Sequence, residues 1–313
     1  MLVDPLGRRV TGLRISLTQE CNLSCFYCHL EGCAPGPRQM GTQELAEILQ
    51  LARELGISEI KLTGGEPLLR KDLPEVLERN PGLDLSMTTN GTLLAPLAQK
   101  LARAGLRRVN IDLPTLDPRN YERITRRPLL QRVLEGIVAA VEAGLKPVKL
   151  NMVVLKGVNE EEVEPMIRFC SEKGLVLQLI ELLPIRPDLQ PFWLDLSPVE
   201  KKLERRALKV ERREMHFRRK FLLPECEVEV VRSMHNTEFC LHCTRLRLTP
   251  DGYLKPCLMR NDNLVDLLTP IRKGDLEAAR GAFLRATQLK EPFFKAPQTS
   301  VGFQCSGAGP AGG

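Results

Sequence analysis

The sequence predicts an α/β fold, a partial (β/α)6 TIM-like barrel with a C-terminal α+β region covering its open side. Between residues 14 and 184, short apolar runs rich in β-branched residues alternate with amphipathic helical patterns. Six such strand–helix units in series indicate a parallel sheet. Because a closed TIM barrel has eight strands, six units predict a barrel that stays open. After Pro184 the periodicity weakens, which indicates a second region.

Each barrel strand is predicted from an apolar run that ends at turn-forming residues. The predicted strands span residues 14–18, 59–63, 84–88, 108–113, 147–154 and 175–183. After the first strand, apolar residues at helical spacing predict an amphipathic helix that ends at Gly56: Leu45, Ile48, Leu49, Ala52 and Leu55. Asp117-Pro118 predicts a capped helix start with proline in the first turn, and Asn159 predicts a second N-cap.

The chain divides into two predicted domains, residues 1–190 and residues 191–313. A cluster of prolines predicts a linker near this boundary: Pro184, Pro187, Pro191 and Pro198. The second domain ends in a tail rich in glycine and proline. The sequence contains neither a run of eighteen apolar residues nor an apolar signal-peptide segment, so we expect a cytoplasmic protein with no membrane partner.

The composition favours an anionic ligand. The formal net charge is +6 and the pI is about 8.8. A basic stretch at residues 201–220 is interleaved with glutamates, and we interpret it as a solvated face. Only three tyrosines and one tryptophan occur, so a stacking platform for nucleic-acid bases is poorly supported and no nucleic-acid partner is expected.

The strongest motif follows the first predicted strand. Cys21, Cys25 and Cys28 lie in one loop and can hold three irons of a cubane cluster, which leaves the fourth iron open. The alternative is a structural zinc ion, which needs a fourth ligand such as Cys33, or His29 in a strained arrangement. With the aromatic Tyr27 before the last cysteine, this spacing resembles the signature of the radical S-adenosylmethionine (SAM) superfamily, whose open iron chelates SAM.

Two polar motifs end the next predicted strands. Gly64-Gly65-Glu66-Pro67 could form a simple turn, but glycines also let the backbone approach a ligand closely, and Glu66 can accept a bond from an ammonium group. Thr88-Thr89-Asn90-Gly91 could be an Asn-Gly turn or a polar face at the barrel mouth. Ligands of parallel α/β folds bind at the carboxyl ends of strands, where both motifs lie.

A second cysteine group, Cys240, Cys243 and Cys257, lies near the end of the chain. A zinc ribbon with His235 or His242 as the fourth ligand is one interpretation. An auxiliary iron–sulfur cluster is the other, and the first cysteine motif favours it. The remaining cysteines have no assigned function, and Cys170 is expected in the core because Met166, Ile167 and Phe169 surround it on one helix.

The combined motifs resemble the MoaA-type GTP 3′,8-cyclases of molybdenum-cofactor biosynthesis. Members of this family carry both cysteine groups, a Thr-Arg-x-Arg run after the second auxiliary cysteine, and a terminal glycine pair. This chain has Thr244-Arg245-Leu246-Arg247 after Cys243 and ends in Gly312 and Gly313. The match covers about residues 12–260 and the final pair.

The resemblance implies a lyase that uses two 4Fe–4S clusters and SAM to convert GTP into (8S)-3′,8-cyclo-7,8-dihydroguanosine 5′-triphosphate. It implies SAM contacts at five positions: Tyr27, Gly65, Glu66, Asp112 and Leu183. It implies GTP contacts at seven positions: Arg14, Lys61, Thr88, Lys149, Arg245, Leu246 and Arg247. Gly312 and Gly313 would take part in catalysis. An electron donor and the next pterin synthase of the pathway are expected partners, and a homodimer is left open.

Three positions depart from the family pattern. Asp112 replaces a serine that contacts SAM, Leu183 replaces a methionine, and the tail lacks the usual apolar residue before its glycine pair. Two other functions are weighed against the cyclase. One is a radical SAM enzyme that modifies peptides, although such enzymes lack the Thr-Arg-Leu-Arg run. The other is a nucleic-acid-binding zinc-ribbon protein, which the glycine motif and the six strand–helix units do not suggest.

Overall fold

The computed structural model describes residues 1–32, 38–233 and 236–292. Six strands and six helices form the first part of the chain and alternate as the sequence predicts, except that two helices lie between the fourth and fifth strands. The strands are β1 Gly12–Ser16, β2 Glu59–Thr63, β3 Asp84–Thr89, β4 Arg108–Asp112, β5 Val148–Val154 and β6 Val176–Glu181. The helices are α1 Thr42–Glu54, α2 Leu73–Glu78, α3 Ala98–Arg103, α4 Pro118–Thr125, α5 Leu130–Glu142 and α6 Val163–Lys173.

The C-terminal part adds shorter elements of both kinds. They are α7 Ser197–Arg206, β7 Lys209–Arg212, β8 Arg219–Leu222, β9 Glu227–Val231, α8 Thr237–Leu241, β10 Arg245–Leu248, β11 Tyr253–Lys255, β12 Val265–Asp266, α9 Leu268–Arg272 and α10 Leu276–Gln288. Short 3-10 helices lie at Leu30–Gly32, Pro67–Leu69, Glu160–Glu162, Pro187–Phe192 and Met215–Phe217. Among the described residues, no helix is both long and apolar enough to cross a membrane.

All strands form one sheet in the order β12-β11-β10-β1-β2-β3-β4-β5-β6-β9-β8-β7. Strands β1 to β6 are parallel neighbours, and the C-terminal part extends both edges, because β10 pairs in parallel with β1 and β9 with β6. Within the described residues β9 and β10 share no ladder, so the barrel is open between them. The predicted fold class, an open barrel with an added C-terminal region, is therefore confirmed.

Local signals in the sequence explain the ends of several helices. Helix α1 buries the predicted apolar face, and Gly56 follows its end with φ +89°. At the start of α4 the Asp117 carboxylate accepts a hydrogen bond from the Asn120 N–H, as predicted. Asn159 occupies the N-cap position of the 3-10 helix Glu160–Glu162, as predicted, but its side chain makes no capping hydrogen bond there. Its amide instead accepts from Leu155 N–H and donates to the Pro114 carbonyl.

The proline-rich segment is more than a linker. It forms the 3-10 helix Pro187–Phe192, in which Leu189 is fully buried. The Phe192 ring lies 5.0 Å from the Phe26 ring, and Arg186 donates a hydrogen bond of 2.7 Å to the Phe26 carbonyl. The segment therefore covers the cysteine loop from outside. Cys170 is fully buried in the main core, as expected.

Candidate active site

The interior of the open barrel holds a cavity of about 460 Å³. Residues of the barrel strands and of the C-terminal part line it together. The predicted site residues in its lining are Arg14, Cys21, Cys25, Tyr27, Cys28, Lys61, Gly65, Thr88, Asp112, Lys149, Leu183, Cys240, Cys243, Arg245, Arg247 and Cys257. Glu66 and Leu246 do not line it, and Gly312 and Gly313 lie outside the described residues.

The first cysteine triad lies in the loop after β1. Two backbone N–H groups point at its sulfurs, Leu23 at 3.5 Å from Cys21 Sγ and Leu30 at 3.4 Å from Cys28 Sγ. Burial raises the pKa of the Cys28 thiol to about 11, and burial followed by the charges of Cys28 and Cys21 raises the pKa of Cys25 further. Thiolates at these positions therefore need a bound positive charge, which a metal cluster supplies.

The Gly64-Gly65 turn packs directly against the residues that lead into this loop. The Gly65 N–H donates to the Thr18 carbonyl at 2.7 Å, and the Glu66 N–H donates to the Glu20 carbonyl at 2.7 Å. A Cβ at Gly65 would lie 2.0 Å from the Glu20 carbonyl oxygen. Glycine is required here because the two backbones approach too closely for a side chain.

Glu66 holds two segments of the site together. Its carboxylate accepts bonds from Thr89 Oγ1 at 2.6 Å, Asn90 N–H at 2.7 Å and Leu68 N–H at 3.0 Å. It is fully buried, and this burial raises its pKa to about 7 despite those bonds. Asp112 lies in the cavity lining, accepts from Asn151 at 2.7 Å, and has a pKa raised to about 6, again mainly by burial.

Cations cluster where β10, β1 and β2 lie side by side. Arg247 pairs with Arg14 across the ladder, and Arg14 pairs with Lys61. Burial, followed by the charges of Arg14 and Arg247, lowers the pKa of Arg245 to about 9. Leu246 lies between the two arginines, but its side chain belongs to the hydrophobic core. Alternation along β10 thus explains why Arg245 and Arg247 face the cavity and Leu246 does not.

Glu31 neutralises part of this cluster, and our sequence interpretation missed it. Its carboxylate forms ion pairs with Arg14 and with Arg247, the latter at 2.7 Å. Thr63 Oγ1 donates to the same group at 3.1 Å. No motif points to Glu31, because the contact depends on how the loop after Cys28 folds back over β1 and β10.

The second cysteine triad lies at α8 and the strands after it. Cys240 lies in α8, Cys243 just before β10 and Cys257 just after β11. Burial raises the pKa of the Cys243 thiol, but the ammonium group of Lys290, with Nζ 3.8 Å from the sulfur, helps to bring the net pKa below its ordinary value. A thiol with that bias is suited to serve as a metal ligand.

The zinc interpretation gains no support from the described residues. No three His, Cys, Asp or Glu side chains among them converge on one ion position, as a zinc ion would require, whereas a cubane cluster spreads its three thiolates over three separate irons. His242 stacks on Phe217 with 4.4 Å between ring centroids, and its Nδ1 lies 2.9 Å from the Glu238 carbonyl oxygen. His235 is outside the described residues.

The basic stretch at residues 201–220 is not a solvated face throughout, which corrects our interpretation. Arg213, Met215, His216 and Arg218 line the cavity. The alternation of charges in this stretch gave no sign of this. The cause is the hairpin of β7 and β8, whose turn at Met215–Phe217 places the arginines on either side of it in the cavity lining.

Comparisons with known proteins agree with this geometry. A model of the radical SAM superfamily matches residues 15–170, and a model of the Molybdenum Cofactor Synthesis C family matches residues 175–296. A Pyrococcus horikoshii protein described as a probable GTP 3′,8-cyclase is 52% identical over 306 residues, with 94% of this chain and 98% of that protein covered. A Methanocaldococcus jannaschii protein with the same description is 44% identical, with 93% and 99% covered.

A solved structure shares the fold at low identity. The crystal structure of Streptococcus suis SuiB bound to SAM superposes with a TM-score of 0.63 at 18% identity, and it covers 87% of this chain and 64% of SuiB. The chain thus spans less than two thirds of SuiB, and this likeness concerns the fold alone. From the archaeal relatives and the two family models, we conclude that this chain belongs to the GTP 3′,8-cyclase family of the radical SAM superfamily.

Proposed function

We propose that this chain is a lyase that converts GTP into (8S)-3′,8-cyclo-7,8-dihydroguanosine 5′-triphosphate, the first step of molybdenum-cofactor biosynthesis. The observation that carries the proposal is the shared cavity. Both cysteine triads and the predicted substrate cations line one space of about 460 Å³. A substrate held there lies within reach of two metal groups and of a cationic wall.

We assign the two triads to two 4Fe–4S clusters, because each supplies three thiolates to the same cavity. Cys21, Cys25 and Cys28 would hold one with its open iron toward SAM, and Cys240, Cys243 and Cys257 would hold the other. When bound, SAM and the first cluster would supply a 5′-deoxyadenosyl radical able to abstract a hydrogen atom from C3′ of GTP, and the expected electron donor would supply the electron that, with one proton, completes the closure of C3′ onto C8 of guanine. The chain itself supplies orientation and excludes water from the barrel interior.

Charge supports a polyanionic substrate. Among the described residues, eleven lysines and arginines line the cavity, against five aspartates and glutamates. Arg14, Lys61, Lys149, Arg245 and Arg247 are the proposed GTP contacts, together with Thr88 and the backbone at Leu246. Guanidinium groups bind phosphate oxygens through paired N–H donors, so several of them together suit a triphosphate.

Tyr27, Gly65, Asp112 and Leu183 are the proposed SAM contacts in the cavity lining. Glu66 would act by holding Thr89 and Asn90 beside that site, since its carboxylate already accepts bonds from both. The Asp112 carboxyl group would be protonated and uncharged below about pH 6, because burial raises its pKa to about 6.

Several finer points remain part of the proposal. We propose domains of residues 1–190 and 191–313, a cytoplasmic location, an electron donor and a following pterin synthase as partners, and a catalytic role for Gly312 and Gly313. The eight described cysteines are all unbridged, which suits a reducing compartment. Peptide modification and nucleic-acid binding are not favoured, because the relatives of high identity are described as probable GTP 3′,8-cyclases.

The proposal predicts that anaerobically reconstituted protein, given SAM, GTP and a reductant, forms 5′-deoxyadenosine and a cyclic dihydro-GTP. Changing Cys25→Ala should abolish both products while the second cluster still assembles, because only the first triad has lost a thiolate. Chromatography of the products and iron analysis provide the measurements. Formation of 5′-deoxyadenosine at the wild-type rate by Cys25→Ala would refute the assignment of this triad.

A further inference from the structure

A second group of cations in the cavity lining surrounds one buried carboxylate that does not itself line the cavity. Glu229 on β9 is fully buried, and its carboxylate forms an ion pair with Lys149 of β5. Arg213 donates to Oε1 at 2.8 Å, and Arg218 approaches Oε2 at 3.8 Å. Three positive charges thus face one negative charge, so the group retains an excess of two.

The two arginines come from the hairpin that reaches into the barrel opening. Arg213 follows β7 and Arg218 precedes β8, and a backbone bond of 3.0 Å joins them. The turn between them touches α8, because the His216 N–H donates to the His242 carbonyl at 2.9 Å. The hairpin therefore brings C-terminal cations to Lys149, which belongs to the barrel.

One donor of this ion network stays unused at the surface of the cavity. Arg218 is 13% exposed at its side chain and lies in the cavity lining. Its Nε is buried and has no hydrogen-bond partner among the described residues. Burial of a guanidinium with an unused N–H is costly, and an anionic ligand in the cavity would offset that cost.

Hydrogen bonds connect this group to the predicted substrate residues. Arg218 donates to the Gln178 side chain at 3.3 Å, and Gln178 donates to Asn151 at 3.1 Å. Asn110 donates to the same Asn151 oxygen at 3.1 Å, and Lys61 donates to Asn110 at 2.8 Å. One row of polar side chains thus runs from Lys61 to Arg218, so a single extended ligand can contact both ends.

We propose that Arg213, Arg218 and Lys149 form a polyphosphate subsite that selects a nucleoside triphosphate over a monophosphate. Glu229 is the positioning residue, because it holds all three cations toward one another. Arg213 is 40% exposed and lies where the terminal phosphate would reach the opening. The inference rests on the proposed function, since it adds Arg213 and Arg218 to Lys149, which the family resemblance already implies as a contact of the same substrate.

Equilibrium binding to the protein carrying both clusters tests the subsite. In Arg218→Ala, the Kd for GTP and for inorganic tripolyphosphate should rise about tenfold or more, the loss of one charge-assisted hydrogen bond or two. The Kd for GMP should stay unchanged. The Kd of Arg218→Lys for GTP should lie between those of the wild type and Arg218→Ala, because lysine keeps the charge but lacks the guanidinium fork.

Arg205→Ala is the matched control, since it removes the same charge from an exposed position on α7 outside the cavity lining. It should change neither affinity. If Arg218→Ala does not fold, the more exposed Arg213→Ala decides the question by the same measurement.

An unchanged GTP-to-GMP preference in Arg213→Ala and Arg218→Ala would overturn the subsite, and so would an equal loss for both nucleotides. If the wild-type protein cyclises GTP and prefers it to GMP, and the variants keep this preference, only the subsite is refuted. Wild-type protein that binds GTP no more tightly than guanosine would refute the proposed function as well.

Discussion

At the residue scale, Gly65 illustrates how tightly the cysteine loop is held. It donates to the Thr18 carbonyl, and any Cβ would meet the Glu20 carbonyl at 2.0 Å, one residue before Cys21. A side chain here cannot be accommodated by a rotamer change, because the obstacle is backbone. The turn must move, and Cys21 would move with it.

We therefore predict that Gly65→Ala destabilises the protein by about 1–3 kcal/mol, the usual cost of overpacking, and lowers iron occupancy at the first triad. Gly281→Ala is the control, because Gly281 lies in α10 with no neighbour within 4 Å of its added methyl group. It should stabilise the helix by up to about 1 kcal/mol. Denaturant unfolding and iron analysis would measure both. Equal stability of the two variants would contradict the prediction.

At the residue scale, the sequence predicts which residues lie together where a motif is local. Cys21, Cys25 and Cys28 lie in one loop, so their proximity follows from spacing alone. Such prediction failed for Glu31 and Glu229, because each acts on residues from distant strands. The contact of Glu31 with Arg247 joins positions 216 residues apart. Nothing in a local window could indicate such an ion pair.

At the element scale, the hairpin of β7 and β8 fastens α8, which carries Cys240. His216 and Phe217 in its turn have positive φ, 64° and 50°. This conformation places both rings against α8 and the residue that follows it, because His216 stacks on Phe239 at 3.9 Å and Phe217 stacks on His242, the C-cap of α8, at 4.4 Å. The helix has only five residues and depends on these contacts.

We predict that Phe239→Ala loosens α8 and halves the iron content, from about eight to about four per chain, while the first cluster stays intact. Loss of one aromatic stack costs about 0.5–1.5 kcal/mol beyond its burial, which is large for so short a helix. Leu241→Ala on the same helix is the control, since Leu241 is 38% exposed. If Phe239→Ala keeps about eight irons per chain, or if it loses all of them, the stack does not support the second cluster specifically.

Elements of the barrel were predicted well because their periodicity is strong. The strands at residues 59–63 and 108–113 lie within one residue of β2 and β4. The C-terminal elements were not resolved in the sequence, because β7 to β12 are short and pair with partners far along the chain. β10 lies beside β1, and that pairing places Arg247 opposite Arg14. The register exists only in the folded sheet.

At the scale of the whole molecule, positive charge is concentrated in the cavity, and the net charge of +6 for the whole chain does not reveal this. Eleven of the described lysines and arginines line it with only five acidic residues. These cations come from both the barrel and the C-terminal part, so they are brought close together only when the chain folds. Cations in a cleft within protein of low dielectric constant attract an approaching polyanion over a longer range than the same charges on an open surface.

This distribution predicts that GTP affinity falls with ionic strength more steeply than GMP affinity, and that guanosine affinity hardly changes. The Debye length shrinks from about 10 Å at 0.1 M to about 3 Å at 1 M salt, so added salt removes the contribution of the more distant cations first. Titration of each nucleotide at several sodium chloride concentrations would give three slopes. Parallel slopes for GTP and guanosine would contradict the prediction, because they would mean that the cations of the cavity contribute no screened attraction to GTP binding. The steeper slope for GTP should persist in Arg218→Ala with reduced magnitude, because that variant removes one cation of eleven and leaves the remaining field in place.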